Sequence, residues 1–368
     1  MSESRRKLNA DDIESTLVGG TALGCGLMGT DRYPEQREYA NRALRQADIY
    51  LTSLDNYSSH DSLALVTGIG RPSATALALD MFSGIGGAVD LLLRTAQSSA
   101  VGVFVGHPGG FLNWIAASRT GLDVVDLAAN GRGHPTAAMG AMGLAGDNNA
   151  RITQTVWFEP PPESGAVPVS AVFTTSHTLG EKFLRYVAHE NGGAIMAARG
   201  LYEVGFLKSH AALGAMSFQQ RIGEALLSVS GGDERIAQLM NVVEESWCLK
   251  GRIQSVRLEP TRDAFLAGIL WLETERGPTA ILICNEVMGV DVAGTRISTF
   301  PDLHILLNRD GEPLAARACE AGKEVVIVGA PHRSIPLGSG VWDASVYPQV
   351  EQALGQPLAR HVLAAGED

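Results

Sequence analysis

VGVFVGHPGGFLNWIAASRTGLDVVDLAANGRGHP, residues 101–135, decides how this chain is read. VGVFV (101–105) is a β-branched apolar run that stops at Gly106-His107-Pro108-Gly109-Gly110, as a strand ending in a loop does. LNWIAASRTG (112–121) has the pattern of a helix closed by glycine. DVVDL (123–127) is a second strand, and the loop Asn130-Gly131-Arg132-Gly133-His134-Pro135 follows it. Strand, loop, helix and strand at this spacing make a βαβ unit, which sets two parallel strands in a sheet covered by helices. Such sheets take their ligands at the carboxyl ends of the strands, and both loops leave such ends.

Working outward, SLALVTGIGRP (62–72) predicts a buried strand halted by the Gly70-Arg71-Pro72 turn, and 86–98 a helix with Val89, Leu92 and Leu93 on one face. DIYLTSL (48–54) predicts a strand and 35–46 a helix. The opening predicts another helix, capped by Asn9 or Asp11, with Asp11 and Glu14 at capping-box spacing. The next stretch, GGTALGCGLMGTDRYP (19–34), reads as a loop too rich in glycine to continue a helix. Beyond 135, FEPPPESG (158–165) holds three consecutive prolines, which exclude a helix interior or central strand and predict a linker or crossover. It divides an N-terminal α/β domain with a largely parallel sheet (1–160) from a C-terminal β-rich α+β domain (161–368). In the second part, helices are expected at 179–190 and within 216–247. Strands are expected at 166–174, 252–260, 267–275, 279–284, 303–307 and 324–329, and a last helix near 346–354.

At about 150 residues per domain, 368 residues fit two domains with sizeable cores. Lys plus Arg number 29 against 40 Asp plus Glu, a net charge of −11, which argues against a duplex-binding surface, so no nucleic acid is expected as a partner. Cys25, Cys248, Cys284 and Cys319 stand singly, so no zinc ribbon, dithiol motif or disulfide framework is readable. The first residues lack a secretory apolar stretch, and no run approaches the ~18 apolar residues of a membrane span, so a soluble cytoplasmic chain is expected.

Three loops carry candidate chemistry. Gly24-Cys25-Gly26-Leu27-Met28-Gly29 matches GxGxxG, but it follows a predicted helix where a dinucleotide site requires a strand, so neither nicotinamide nor flavin is expected. Cys25 and Gly26 can still offer backbone N–H groups to a substrate; the alternative is a glycine turn that permits close packing. In the second loop, Gly109 and Gly110 let a ligand approach the main chain at a helix start, His107 can move a proton, and Asn113 can orient a ring amide or merely cap. In the third, Asp126 or His134 can act as general base and Arg132 can hold an anion, unless Asp126 and Arg132 simply pair to staple the loop. His107, His134 and Cys25 could together hold a divalent metal such as zinc. Asn285 and Glu286 at a strand exit can bind a ligand or close a turn. His177, His189 and His210 lack metalloprotease spacing, and His304 lies inside an apolar strand, where a satisfied core histidine fits. No GxSxG elbow or P-loop is present.

Taken in order, the helix with GCGLMG, the Gly70-Arg71-Pro72 turn, Gly109-Gly110 with Asn113, Val124–Asp126 with Gly131-Arg132 and Pro135, then Asn285-Glu286 and Pro301-Asp302 resemble the S-methyl thiohydantoin desulfurase family. The resemblance implies an α/β domain joined to a β-rich one. It also implies a hydrolytic enzyme removing sulfur from a five-membered thiohydantoin, or acting on a related cyclic amide. The chain departs from the family pattern at His107-Pro108, Ala128, His134 and Thr136, where acidic or other residues are usual, which points to an altered substrate. The leading expectation is a hydrolase with His134, Asp126, Arg132 and His107 as catalytic residues. A non-catalytic partner subunit of a hydantoinase- or oxoprolinase-type complex is the alternative, and a homo-oligomer or such a partner is the expected assembly.

Overall fold

A computed structural model describes residues 5–70, 81–147, 149–160, 168–190, 193–263 and 265–365. Arg71 and Pro72 of the expected turn, and residues 161–167 of the proline segment, lie outside them.

Among the described residues the first sheet has nine strands: β1 (Arg5–Lys7), β2 (Tyr50–Thr52), β3 (Ser62–Gly70), β4 (Gly102–Val105), β5 (Asp123–Ala128), β6 (Ile152–Phe158), β7 (Val169–Thr175), β8 (Ala194–Glu203) and β9 (Ala212–Leu213). Its order is β1-β2-β5-β4-β3-β8-β6-β7, with β9 on β5. The strands β2, β5, β4 and β3 are mutually parallel and form the centre. Val103, Phe104 and Val105 are all buried, as a strand covered on both faces requires. The βαβ unit closes through helix α4 (Leu112–Thr120), which ends at Gly121 in the left-handed region (φ 74°).

Strands β6 and β7, either side of the proline segment, pair antiparallel from Ile152↔Thr175 to Phe158↔Val169, and β8 pairs with β3. The first sheet thus draws strands from both sides of residue 160.

Helices α1 (Asp12–Leu23), α2 (Tyr33–Gln46), α3 (Met81–Ala96), α5 (His177–Glu190), α6 (Val204–His210), α7 (Ala215–Leu227) and α8 (Gly232–Val242) complete this part. Helix α3 buries Phe82, Ile85, Val89 and Leu92 on one face. The expected loop from residue 19 is a correction: α1 runs through Gly19 and Gly20 to Leu23. A Cβ on Gly19 would lie 1.8 Å from Gln219 O, and one on Gly223 1.9 Å from Ser15 O. The glycines serve the crossing of α1 and α7, which outweighs their low helix propensity. Asp11 makes no capping bond; Asp12 Oδ2 accepts from Asn9 N at 2.9 Å instead.

The second sheet is antiparallel throughout: β10 (Trp247–Pro260), β11 (Leu266–Thr274), β12 (Gly277–Cys284), β13 (Glu286–Val292), β14 (Thr295–Thr299), β15 (Leu303–Asn308) and β16 (Glu324–Ala330), in the order β14-β13-β12-β11-β10-β16-β15. The β13–β14 hairpin is absent from the sequence reading. Its turn is Ala293-Gly294, both with positive φ (49° and 81°), without the Asn or Asp that usually signals one. Helices α9 (Pro348–Leu354) and α10 (Ala359–Ala365) close the chain. Helices α1 and α7 lie between the sheets, where Leu17, Leu23 and Ile222 share a core with Ile305, Leu307, Val326 and Val328. Among the described residues no helix is long and apolar enough to cross a membrane.

Candidate functional site

The carboxyl ends of β3 and β4 open onto one cleft with two adjoining chambers, which share Leu27, Thr67–Gly70, Gly106 and His107. The outer chamber, about 250 Å³, is walled by Met28, Leu112 and Met196 and by Gly109 and Gly110, with Arg32, Glu35 and Arg317 at its edge. Gly110 has φ 64°, and a Cβ there would meet Gln36 Oε1 at 2.8 Å, so the loop reaches this tight path only with glycine. The inner chamber, about 100 Å³, is lined by His134, Asn285, Glu286, Arg185 and Arg199.

His107 and His134 meet here, ring centroids 5.3 Å apart and nearly perpendicular. His107 Nδ1 lies 2.9 Å from Pro108 O, so Nδ1 carries the hydrogen and Nε2 keeps its lone pair, with no partner among the described residues. His134 donates from Nδ1 to Thr136 O at 2.7 Å, and its Nε2 is 3.4 Å from Gly106 O. Burial holds both rings neutral: it lowers the His107 pKa, and it takes His134 down to about 3, helped by the neighbouring His107.

Glu286 is buried, and its Oε2 has no partner among the described residues. Burial outweighs the attraction of Arg132 and Arg185 and pushes its carboxyl up to about 8, so it is protonated near neutrality. Asn285, at φ 59°, accepts Leu266 N on its Oδ1 at 2.9 Å. It therefore closes the turn before β13 and lines the chamber too. Arg185 bonds Glu181 at 2.8 Å and Pro135 O at 2.9 Å, anchoring α5 to the loop after His134. Arg199, on β8, donates from Nε to Gln154 Oε1 at 2.8 Å, while its buried Nη2 has no partner among the described residues.

Five expected site residues, Asp126, Arg132, Asn113, Cys25 and Gly26, are not brought into this cleft. Asp126 points, by the two-residue period of β5, to the face covered by α7. There its Oδ1 accepts the N–H groups of Met216 and Ser217, each at 2.9 Å, and Oδ2 the Ser217 hydroxyl at 2.5 Å. It fastens that helix start and is not placed to act as a base. Arg132, 0 % exposed, spends its fork on neutral acceptors: Gly133 O (3.1 Å), Val287 O (2.7 Å), Asp302 O and His304 Nδ1 (3.1 Å). It is a strut between the two sheets, with no donor turned to a substrate and no pairing with Asp126. Asn113 packs its Nδ2 against Met216 Sδ at 3.1 Å beneath α7. Cys25 is buried with its thiol on Leu23 O (3.3 Å), and burial pushes its pKa up, opposite to what a nucleophile needs.

The Cys25 and Gly26 carbonyls accept Val287 N and Ala316 N, both at 2.8 Å, so this segment is a seam between the sheets. The glycine motif follows α1, not a strand. The proposed zinc set of His107, His134 and Cys25 is not formed, and among the described residues no group of three or more His, Cys, Asp or Glu could hold a metal ion. His304 is a satisfied core histidine, bonded to Arg132 and, from Nε2, to Ser298 Oγ at 2.8 Å.

Thr67, Arg185 and Arg199 line the cleft and escaped the sequence reading. A signal existed for Arg199: AIMAARG (194–200) is an apolar strand with one arginine in it, and a buried charge of that kind needs a reason.

The family model described as S-Me-THD-like, N-terminal domain, matches residues 11–159, and that described as S-Me-THD-like, C-terminal domain, matches 175–335. A crystal structure of a protein from Chromobacterium violaceum superimposes with a TM-score of 0.66 at 17% identity, over 94% of this chain and 97% of that one, a likeness of fold. A search of curated proteins finds no match.

Proposed function

The chain belongs to the S-methyl thiohydantoin desulfurase-like family across both its domains, and from that premise we propose that it hydrolyses a small cyclic amide or thioamide of the hydantoin or thiohydantoin type. The observation that carries this reading is the pairing, in one small cleft, of a neutral imidazole with a free Nε2 and a carboxyl kept protonated near neutrality. Two groups whose surroundings push their pKa values apart are what combined acid–base catalysis needs.

In this reading the ring lies in the apolar outer chamber with its C=S or C=O carbon near His107. His107 Nε2 takes a proton from water, and the water oxygen bonds to that carbon. The C–S or C–N bond then breaks as Glu286 delivers its proton to the leaving atom. The first turn of α4, beside Gly109 and Gly110, presents backbone N–H groups toward the negative charge that develops, an effect of ~3–4 kcal/mol for a well-aimed donor. His134 is a positioning residue, with its Nδ1–H committed and its ring against His107.

The test is to purify the chain alone and assay it against a panel of hydantoins, thiohydantoins and S-methyl thiohydantoins. Ring opening, or release of sulfide or methanethiol, is expected without any partner. His107→Ala should lower turnover about 10²–10³-fold with little change in melting temperature. A chain inert on the whole panel until a hydantoinase-type protein is added would favour the partner-subunit reading instead.

A further inference from the structure

We infer that the inner chamber is a carboxylate-binding subsite in which Arg199 receives an acidic substituent of the ring. The inference rests on the proposed ring chemistry only for what is attached to that carboxylate. Arg199 is 3 % exposed and lines the chamber. Among the described residues its fork meets one acceptor, Gln154 Oε1 at 2.8 Å, and its buried Nη2 meets none. The carboxylate in its surroundings, Glu181, is already spent on Arg185 at 2.8 Å and on Ala138 N at 3.1 Å.

The groups around it make the shortage worse. Among the described residues the buried Gln154 Nε2 also lacks a partner, and Arg185 adds a second cation to the chamber wall. A region with buried donors and an unmatched cation is completed by an anion, since buried charges persist only when paired or fully hydrogen-bonded. Glu286 does not supply that anion, because its carboxyl holds its proton to about pH 8.

Size narrows the ligand. About 100 Å³ takes a carboxylate on a short linker but no second ring, and the chamber opens past His107 into the larger one. The substrate class this describes is a five-membered ring whose substituent ends in a carboxylate, as in the ring formed from an acidic amino acid.

The experiment is calorimetric titration and thermal unfolding of the full chain with hydantoin-5-acetate, its neutral amide, acetate and acetamide, for the wild type, Arg199→Met and Arg199→Lys. The wild type is expected to bind the acid at least 10-fold more tightly than the amide. Arg199→Met should lose that preference while melting no lower than the wild type, because it removes an unmatched buried charge. Arg199→Lys should keep part of the preference, and it carries the test if the methionine variant does not fold. Equal binding of acid and amide, a preference that survives both substitutions, or no response to either anion would overturn the inference. Protection by acetate that depends on Arg199, with neither ring compound bound, would sustain the carboxylate site and overturn the ring reading instead.

Discussion

Two buried arginines in this molecule are solved differently. Arg132 has acceptors for every arm of its fork, drawn from Gly133, Val287, Asp302 and His304, and the Phe300 ring lies 4.9 Å below it. Arg199 has one amide oxygen and an unmatched Nη2. A saturated fork holds a fold together, whereas an unsaturated one beside a cavity is available to a ligand. Residue type and burial, alike in both, do not separate them; the inventory of acceptors does.

The sharpest way to break this contrast is Arg132→Met. It strands the Val287 and Asp302 carbonyls and His304 Nδ1, so a loss of about 3–5 kcal/mol is expected in urea unfolding. A variant as stable as the wild type would show that Arg132 does not brace the two sheets. Next is Glu286→Gln, which keeps the shape but cannot release a proton. Turnover should fall about 10²-fold, and the alkaline limb of the wild-type rate profile, expected near pH 8, should disappear.

The same substitution has a stability signature whose sign is fixed. With its pKa raised from 4.5 to about 8, Glu286 holds in the folded state a proton that the unfolded chain has released. Its contribution is therefore full below pH 4.5 and is lost as pH rises to about 8. Unfolding of Glu286→Gln should lack that decline; parallel curves for the two proteins would place the wild-type pKa near its ordinary value. The smallest effect belongs to Asp126→Ala, which removes the acceptor at the start of α7 and should cost about 1–2 kcal/mol while leaving turnover nearly unchanged. A collapse of turnover with stability intact would return Asp126 to catalysis.

The parallel centre was legible because VGVFV and DVVDL are short β-branched runs with glycine-rich exits, and strand order brings such exits together. His107 and His134 were legible as a pair for the same reason. What failed was direction. Asp126 sits one strand period from the loop, and only the packing of α7 shows that its carboxylate faces the other side of the sheet. Arg132 was read as a clamp because local sequence cannot show that Val287 and Asp302, over 150 positions away, saturate it. The glycines at 19 and 20 looked like a loop because their reason, the approach of Gln219 and Gly223, is tertiary. Arg199 carried a signal in its apolar strand, but its unmatched Nη2 becomes visible only with every neighbour in place.

The most direct measurement is a titration of the chain, ¹⁵N-labelled in its nine histidines, with hydantoin, following the ring nitrogens and assigning His107 through His107→Asn. A saturable shift of the His107 Nε2 resonance is expected, while His304, sealed behind Arg132, stays fixed. Saturable binding of hydantoin that leaves His107 unmoved would take His107 out of the site.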